Sequence, residues 1–171
     1  KWNFQTPSEE ELHKRDRLAS QLGLSPVVCL LLVQRGLTTV EEVKKFFKSS
    51  LNDLHDPFLM PDMEKAVKRL NKALGNKEKI LIYGDYDVDG TTAVSLVYKY
   101  LRPYSSALDY YIPDRYDEGY GISYKGINYA RENGITLVIS LDCGIKAIEK
   151  IEYAKQLGID FIICDHHMPD D

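Results

Sequence analysis

Four clusters of polar side chains between residues 84 and 167 could do chemistry together. Gly84-Asp85-Tyr86-Asp87-Val88-Asp89-Gly90 carries three carboxylates on alternate residues. Pro113-Asp114-Arg115 is followed by Glu118-Gly119-Tyr120-Gly121, and then come Asp142-Cys143-Gly144 and Asp165-His166-His167. Carboxylates joined by one or two imidazoles suit Mn²⁺ or Mg²⁺, with Zn²⁺ or Co²⁺ also possible. Several anions crowded into one site raise one another's pKa values unless cations separate them. Two cations about 3.5–4 Å apart can share one carboxylate and activate a water between them for attack on phosphorus.

The first cluster also matches the opening of a calcium-binding EF-hand loop. That loop needs a bidentate Glu at its twelfth position. Counted from Asp85, the twelfth residue is Leu96, and the cluster follows a strand-like run rather than a helix. The EF-hand reading is set aside.

The elements that must position these clusters fall into two zones. Residues 1–76 read as a helical region. Ser8 with Glu11 forms a capping box for a helix to Leu22, and Pro26 opens a second helix that Gly36 stops. Thr38 or Thr39 caps a third, and Asp62 a fourth with Met63, Ala66, Val67, Leu70 and Ala73 on one face. Residues 77–171 alternate. Strands are predicted at Ile80–Tyr83, Ala107–Ile112, Thr136–Leu141 and Asp160–Cys164. Helices are predicted at Thr91–Leu101, Ser123–Glu132 and Ile145–Leu157. Such alternation means an α/β fold, a parallel Rossmann-like sheet flanked by helices with right-handed crossovers. Near-continuous apolar strands imply that both faces of the sheet are covered. Ligands of such sheets bind beyond the carboxyl ends of the strands, where all four clusters fall.

Composition narrows the class. The chain of 171 residues is 44% hydrophobic and 28% charged, with a formal net charge of -4. That acidity argues against a stand-alone nucleic-acid-binding module but suits a carboxylate-rich metal site. No apolar run is long enough to span a membrane. Three cysteines, Cys29, Cys143 and Cys164, without paired spacing fit a reduced, cytoplasmic setting. The sequence opens on Lys1 and stops soon after the histidine pair, so a piece of a longer protein is expected.

The motifs Asp85-Tyr86-Asp87-Val88-Asp89-Gly90, Asp142-Cys143-Gly144 and Asp165-His166-His167 resemble, in this order, the first, third and fourth motifs of the DHH phosphoesterase family. The segment from Pro113 to Gly121 resembles the second motif as it stands in the RecJ branch. Arg35-Gly36, Asp56-Pro57-Phe58 and Ala66-Val67 are RecJ-like as well, so the likeness covers nearly the whole chain. It implies hydrolysis of phosphodiester bonds with two divalent cations, as a 5′-to-3′ single-stranded-DNA exonuclease of repair and recombination. Repair or replication proteins are its further implied partners.

By position, the resemblance makes Asp87 a ligand of the first metal, Asp89 and His166 ligands of the second, and Asp142 the bridging carboxylate. Asp85 is a further ligand or a supporting group. His167 is similar to the residue that contacts the scissile phosphate or aids proton transfer. Arg115 resembles a phosphate-binding arginine, a task its planar fork suits. Gly119, Tyr120 and Gly121 belong to the same substrate segment. Two departures stand out. Many relatives carry a His where this chain has Tyr83, which implies weaker binding of the first metal or reliance on Asp85. A later Asp and a substrate-binding domain are missing after His167, so this piece is expected to be inactive alone.

Plainer readings stand beside these. Asp85, Asp87 and Asp89 could be solvated loop residues or helix caps, Asp142 a turn former, and His166 and His167 surface residues. Asp165 could only orient His166. Arg115 could form a surface ion pair, and Glu118 could merely be solvated. Gly90, Gly119, Gly121 and Gly144 read as hinges with positive φ, and Cys143 and Cys164 as small core residues. Tyr110, Tyr111, Tyr116, Tyr120 and Tyr124 could stack on bases, although buried packing explains the first two better. Two rival functions are a DHH phosphatase of oligonucleotides or small phosphorylated molecules, and an inactive scaffold relative.

Overall fold

The computed structural model describes residues 6–170. It divides into two compact units at Pro57 and Phe58. In the first unit, α1 (Glu9–Leu22) begins at Ser8. The Ser8 hydroxyl accepts from Glu11 N, and the Glu11 carboxylate accepts from Ser8 N. α2 (Pro26–Gln34) opens on its proline, and Thr39 with Glu42 makes the same reciprocal cap for α3 (Val40–Phe47). Each cap satisfies backbone N–H groups that a helix start leaves unpaired. Leu18, Cys29, Leu32, Val33 and Val43 bury themselves together as the core of these helices.

The second unit runs α4 (Met63–Gly75), β1 (Ile80–Gly84), α5 (Val88–Leu101), β2 (Leu108–Tyr111), α6 (Tyr124–Glu132), β3 (Leu137–Leu141), α7 (Ile148–Gln156) and β4 (Asp160–Cys164). The strands pair in parallel in the order β2-β1-β3-β4. Strand alternation splits the core in two. Leu81 and Tyr83 join Ile122, Ile127, Val138 and Cys143 on one face. Ile80 and Ile82 join Ala73, Val94, Leu137 and Ile139 on the other. Each fully buried Leu or Ile contributes about 1.5–3 kcal/mol, so β1 and β3, buried along their whole length, anchor the sheet. The chain winds outward from β1 to β2, then returns past β1 to β3. This reversal makes a crevice between β1 and β3 at their carboxyl ends, the place where such sheets bind ligands.

Several expectations change in the structure. Residues 63–75, read with the helical lead-in, place Leu70, Ala73 and Leu74 in the sheet's core. Arg69 of α4 donates to Asp160 Oδ2 at 2.6 Å and to Glu78 Oε2 at 2.8 Å. Periodicity identifies an apolar helix face but not the layer it covers. Asp62 precedes α4 in the left-handed region at φ 58, and its side chain makes no capping bond. α5 begins at Val88, three residues early, because Asp87 caps it. β4 lies at an edge of the sheet, so Ile163 and Cys164 are exposed rather than core. Tyr110 is likewise exposed, resting edge-on against Tyr98.

Candidate metal centre

The end of β1 delivers Asp85 directly into the crevice. It is 1% exposed. Its Oδ2 is buried without a hydrogen-bond partner among the described residues, and its Oδ1 receives only a 3.4 Å contact from Gly121 N. A buried carboxylate oxygen left unpaired is costly. Gly90 makes this placement possible, though not by a positive φ. A Cβ there would lie 2.5 Å from Asp85 O and 2.7 Å from Asp85 N, so only glycine lets the first turn of α5 rest on the Asp85 backbone. Asp87 caps α5 with one oxygen, Oδ1, which accepts from Gly90 N at 2.9 Å. Asp89 stands exposed in the first turn of the same helix.

Beyond β3, Asp142 adopts φ 61, a left-handed conformation that Asp enters more readily than most residues. Its N–H donates to Cys164 O at 2.8 Å, which ties it to the end of β4. Beyond β4, His166 Nε2 lies 3.0 Å from Asp142 Oδ1. Asp165 orients the other histidine: Oδ1 lies 2.7 Å from His167 Nδ1, and Oδ2 accepts from Ile145 N at 3.0 Å. The expectation that Asp165 orients His166 is thus corrected, because the backbone turn swings His167 back over its own strand end. Burial pushes the Asp165 carboxyl up, but the Ile145 and His167 N–H groups and the His167 ring outweigh it and hold its pKa below the usual value.

Among the described residues, Asp142, His166 and His167 form a group whose donor atoms all lie within 4.8 Å of one another. Asp85, Asp87 and Asp89 stand outside that group, although the charges of Asp85 and Asp87 act on Cys143 next to it. Cys143 is fully buried among the carboxylates. Burial first, then Asp85, Asp165, Asp142 and Asp87, push its thiol up to about 12. That shift keeps the thiol protonated, and Cys143 stands outside the group of candidate donors. Burial and the charges of Asp85, Asp165 and Asp142, with Cys143, likewise push the Tyr120 phenol up to about 12. It therefore remains a donor, to Asp142 O at 3.1 Å, and lies 3.4 Å from His167 Nδ1.

Arg115 forms no ion pair among the described residues. Its guanidinium carbon sits 4.4 Å over the Tyr86 ring, a cation–π contact that leaves its donors free. Gly119 and Gly121 both have φ 80, and Gly144 has φ 114, the left-handed turns expected of them. Glu118 is engaged rather than solvated. It accepts from Asp114 N at 2.9 Å, from the Tyr111 hydroxyl at 2.9 Å and from the Ser123 hydroxyl. Tyr83 is no metal ligand, since its buried hydroxyl donates to Gly121 O at 2.9 Å and accepts from Ser123 N at 3.1 Å. Sequence reasoning missed both struts, whose partners include groups 38 and 40 residues away from Tyr83.

The fold is an α/β parallel sheet with carboxylates at successive strand ends and a histidine pair after the last, and the chain belongs to the DHH family. The profile of the "DHH family, N-terminal domain" matches residues 79–171, more than half of the chain. The chain is 41% identical over 169 residues to the single-stranded-DNA-specific exonuclease RecJ of Bacillus subtilis. It is 33% identical over 150 residues to that of Escherichia coli. It covers 99% and 86% of itself in these matches, but spans only 21% and 25% of those relatives. A crystal structure of exonuclease RecJ bound to manganese is similar with TM-score 0.60 and 30% identity, over 66% of this chain and 30% of that one. The RecJ of Thermus thermophilus in complex with Mn²⁺ gives TM-score 0.67 over 98% of this chain and 22% of that one; at 22% identity it speaks for the fold alone. No helix among the described residues is long and apolar enough to cross a membrane.

Proposed function

We propose that this chain supplies the metal-binding face of a single-stranded-DNA exonuclease that hydrolyses phosphodiester bonds with two divalent cations, Mn²⁺ or Mg²⁺. The observation that carries the reading is the convergence of Asp142, His166 and His167 beside the unpaired buried oxygen of Asp85, in a chain of the DHH family. The donor set fits such ions: hard carboxylate oxygens with imidazole nitrogen, and no thiolate. Asp85, Asp87, Asp89, Asp142 and His166 would hold the cations, Asp142 serving as the carboxylate common to both. Divalent cations bound there supply Lewis acidity toward a phosphate oxygen and toward water.

The remaining groups act on the substrate. His167, fixed by Asp165, faces the scissile phosphate. Arg115 moves from the Tyr86 ring onto a phosphate, whose two oxygens its fork matches. Tyr120, with Gly119 and Gly121 setting its backbone, keeps a neutral hydroxyl for the same strand. Manganese bound to relatives of this fold supports the choice of metal, and the RecJ relatives support single-stranded DNA as substrate.

The test is digestion of end-labelled single-stranded DNA by the intact gene product with Mn²⁺. Stepwise release of nucleotides from the 5′ end is the expected outcome. Cleavage of dinucleotides with long strands spared would replace this reading by that of a small-substrate phosphatase.

A further inference from the structure

We infer that Glu118 is a positioning residue, which with Tyr83 and Tyr111 as struts sets where the Pro113–Ser123 loop presents Arg115 and Tyr120. The inference rests on the substrate roles proposed above for those two residues.

The loop joins β2 to α6 without regular structure, and a long connection of that kind stays mobile unless side chains tie it down. Glu118 ties three places to one carboxylate. Oε1 accepts from Asp114 N at the start of the loop, Oε2 from the Ser123 hydroxyl at its end, and both lie 2.9–3.0 Å from the Tyr111 hydroxyl on the flanking strand. The backbone completes the bracket, because Glu118 N donates to Asp114 O at 2.9 Å. Tyr83 closes the far side through Gly121 O and Ser123 N. From α7, Lys150 Nζ donates to Ile122 O at 2.6 Å.

The struts have no slack. Tyr83 and Tyr111 stack with ring centroids 5.4 Å apart. A Cβ on Gly126 would stand 2.5 Å from Tyr83 Cε2 and 3.2 Å from Tyr111 Cε1. Within this frame Tyr120 reaches Asp142 O and Arg115 reaches the Tyr86 ring. Glu118 touches neither Asp142 nor the histidines, so its effect on turnover passes through the loop. An ionised carboxylate only accepts hydrogen bonds, which matches a position surrounded by donors.

The experiment compares variants of the intact gene product on long single-stranded DNA, with Mn²⁺ affinity measured in parallel. Glu118→Ala is expected to raise KM about tenfold or more, because displacements near 1 Å at a positioned group cost up to about a hundredfold. Its Mn²⁺ affinity is expected to stay within about twofold of the parent, and Glu118→Gln, which keeps one acceptor oxygen, to recover part of the loss. Tyr111→Phe keeps the ring stack, removes one donor and is expected to raise KM about threefold. If Glu118→Ala does not fold, Tyr111→Phe decides. Parent-like KM in the variants, or weakened Mn²⁺ binding in Glu118→Ala, overturns the inference. A parent protein that does not digest single strands overturns the site reading and this inference with it. Digestion by the parent with unchanged variants removes this inference alone.

Discussion

His166 Nε2 lies 3.0 Å from Asp142 Oδ1, a contact between the ends of two neighbouring strands. β3 and β4 run in register from Leu137 opposite Asp160 to Leu141 opposite Cys164. One residue further along β3, the backbone of Asp142 turns left-handed while its N–H still holds Cys164 O. The turn aims a carboxylate across the sheet toward the imidazole that leaves β4. Strand register thus becomes the geometry of a candidate ligand pair.

Asp142→Ala in the intact gene product should abolish Mn²⁺-dependent digestion of single-stranded DNA. A residue shared by two cations should cost at least about a hundredfold, or about 2.7 kcal/mol of barrier. Steady-state release of nucleotides measures it. Retention of more than about a tenth of parent activity, a loss below about 1.4 kcal/mol, would contradict a bridging role.

Gly90→Ala should destabilise the 171-residue chain by about 1–3 kcal/mol, the usual cost of overpacking. The new Cβ meets Asp85 backbone atoms, not a flexible side chain that could swing away. The urea midpoint reads the effect, and an unchanged midpoint would show that α5 can move off Asp85.

Arg115→Lys should behave like Arg115→Ala, with kcat/KM on single strands falling about tenfold or more, because an ammonium lacks the planar fork. Mn²⁺ affinity should not change. Full activity in the lysine variant would reduce Arg115 to a generic positive charge.

Glu78 ties stability to pH. The Thr136 hydroxyl first, and then Arg69, hold its carboxyl below the usual 4.5. A carboxyl depressed in the folded state stabilises the fold above its unfolded pKa, and loses that contribution as pH falls through the folded value. Glu78→Gln should therefore cost about 1 kcal/mol at pH about 6 and show a shallower loss of stability below pH about 4.5. Urea unfolding across that range measures it; parallel pH profiles would contradict the coupling.

How far the sequence reaches depends on how local the responsible physics is. Ser8 with Glu11, Thr39 with Glu42, and the turns at Gly119, Gly121 and Gly144 are short-range features, and residue types three or fewer positions apart announce them. The parallel sheet follows from alternation, and the gathering of Asp85, Asp142 and His166 at one edge follows from the sheet. What escapes depends on distance or rotamer. Arg69 finds Asp160 91 residues away. Glu118 looks solvated until Tyr111 and Ser123 converge on it. Gly90 reads as a turn glycine, yet it serves close backbone approach. Asp165 reads as a support for His166, and only the folded turn after β4 pairs it with His167 instead.

The most direct measurement is a Mn²⁺ titration of the intact gene product, followed by the electron paramagnetic resonance signal of free Mn²⁺. Two ions taken up per chain, with uptake reduced in both Asp142→Ala and His166→Ala, is the expected result. Unchanged Mn²⁺ uptake in those two variants would contradict the paired-cation site at the ends of β1, β3 and β4.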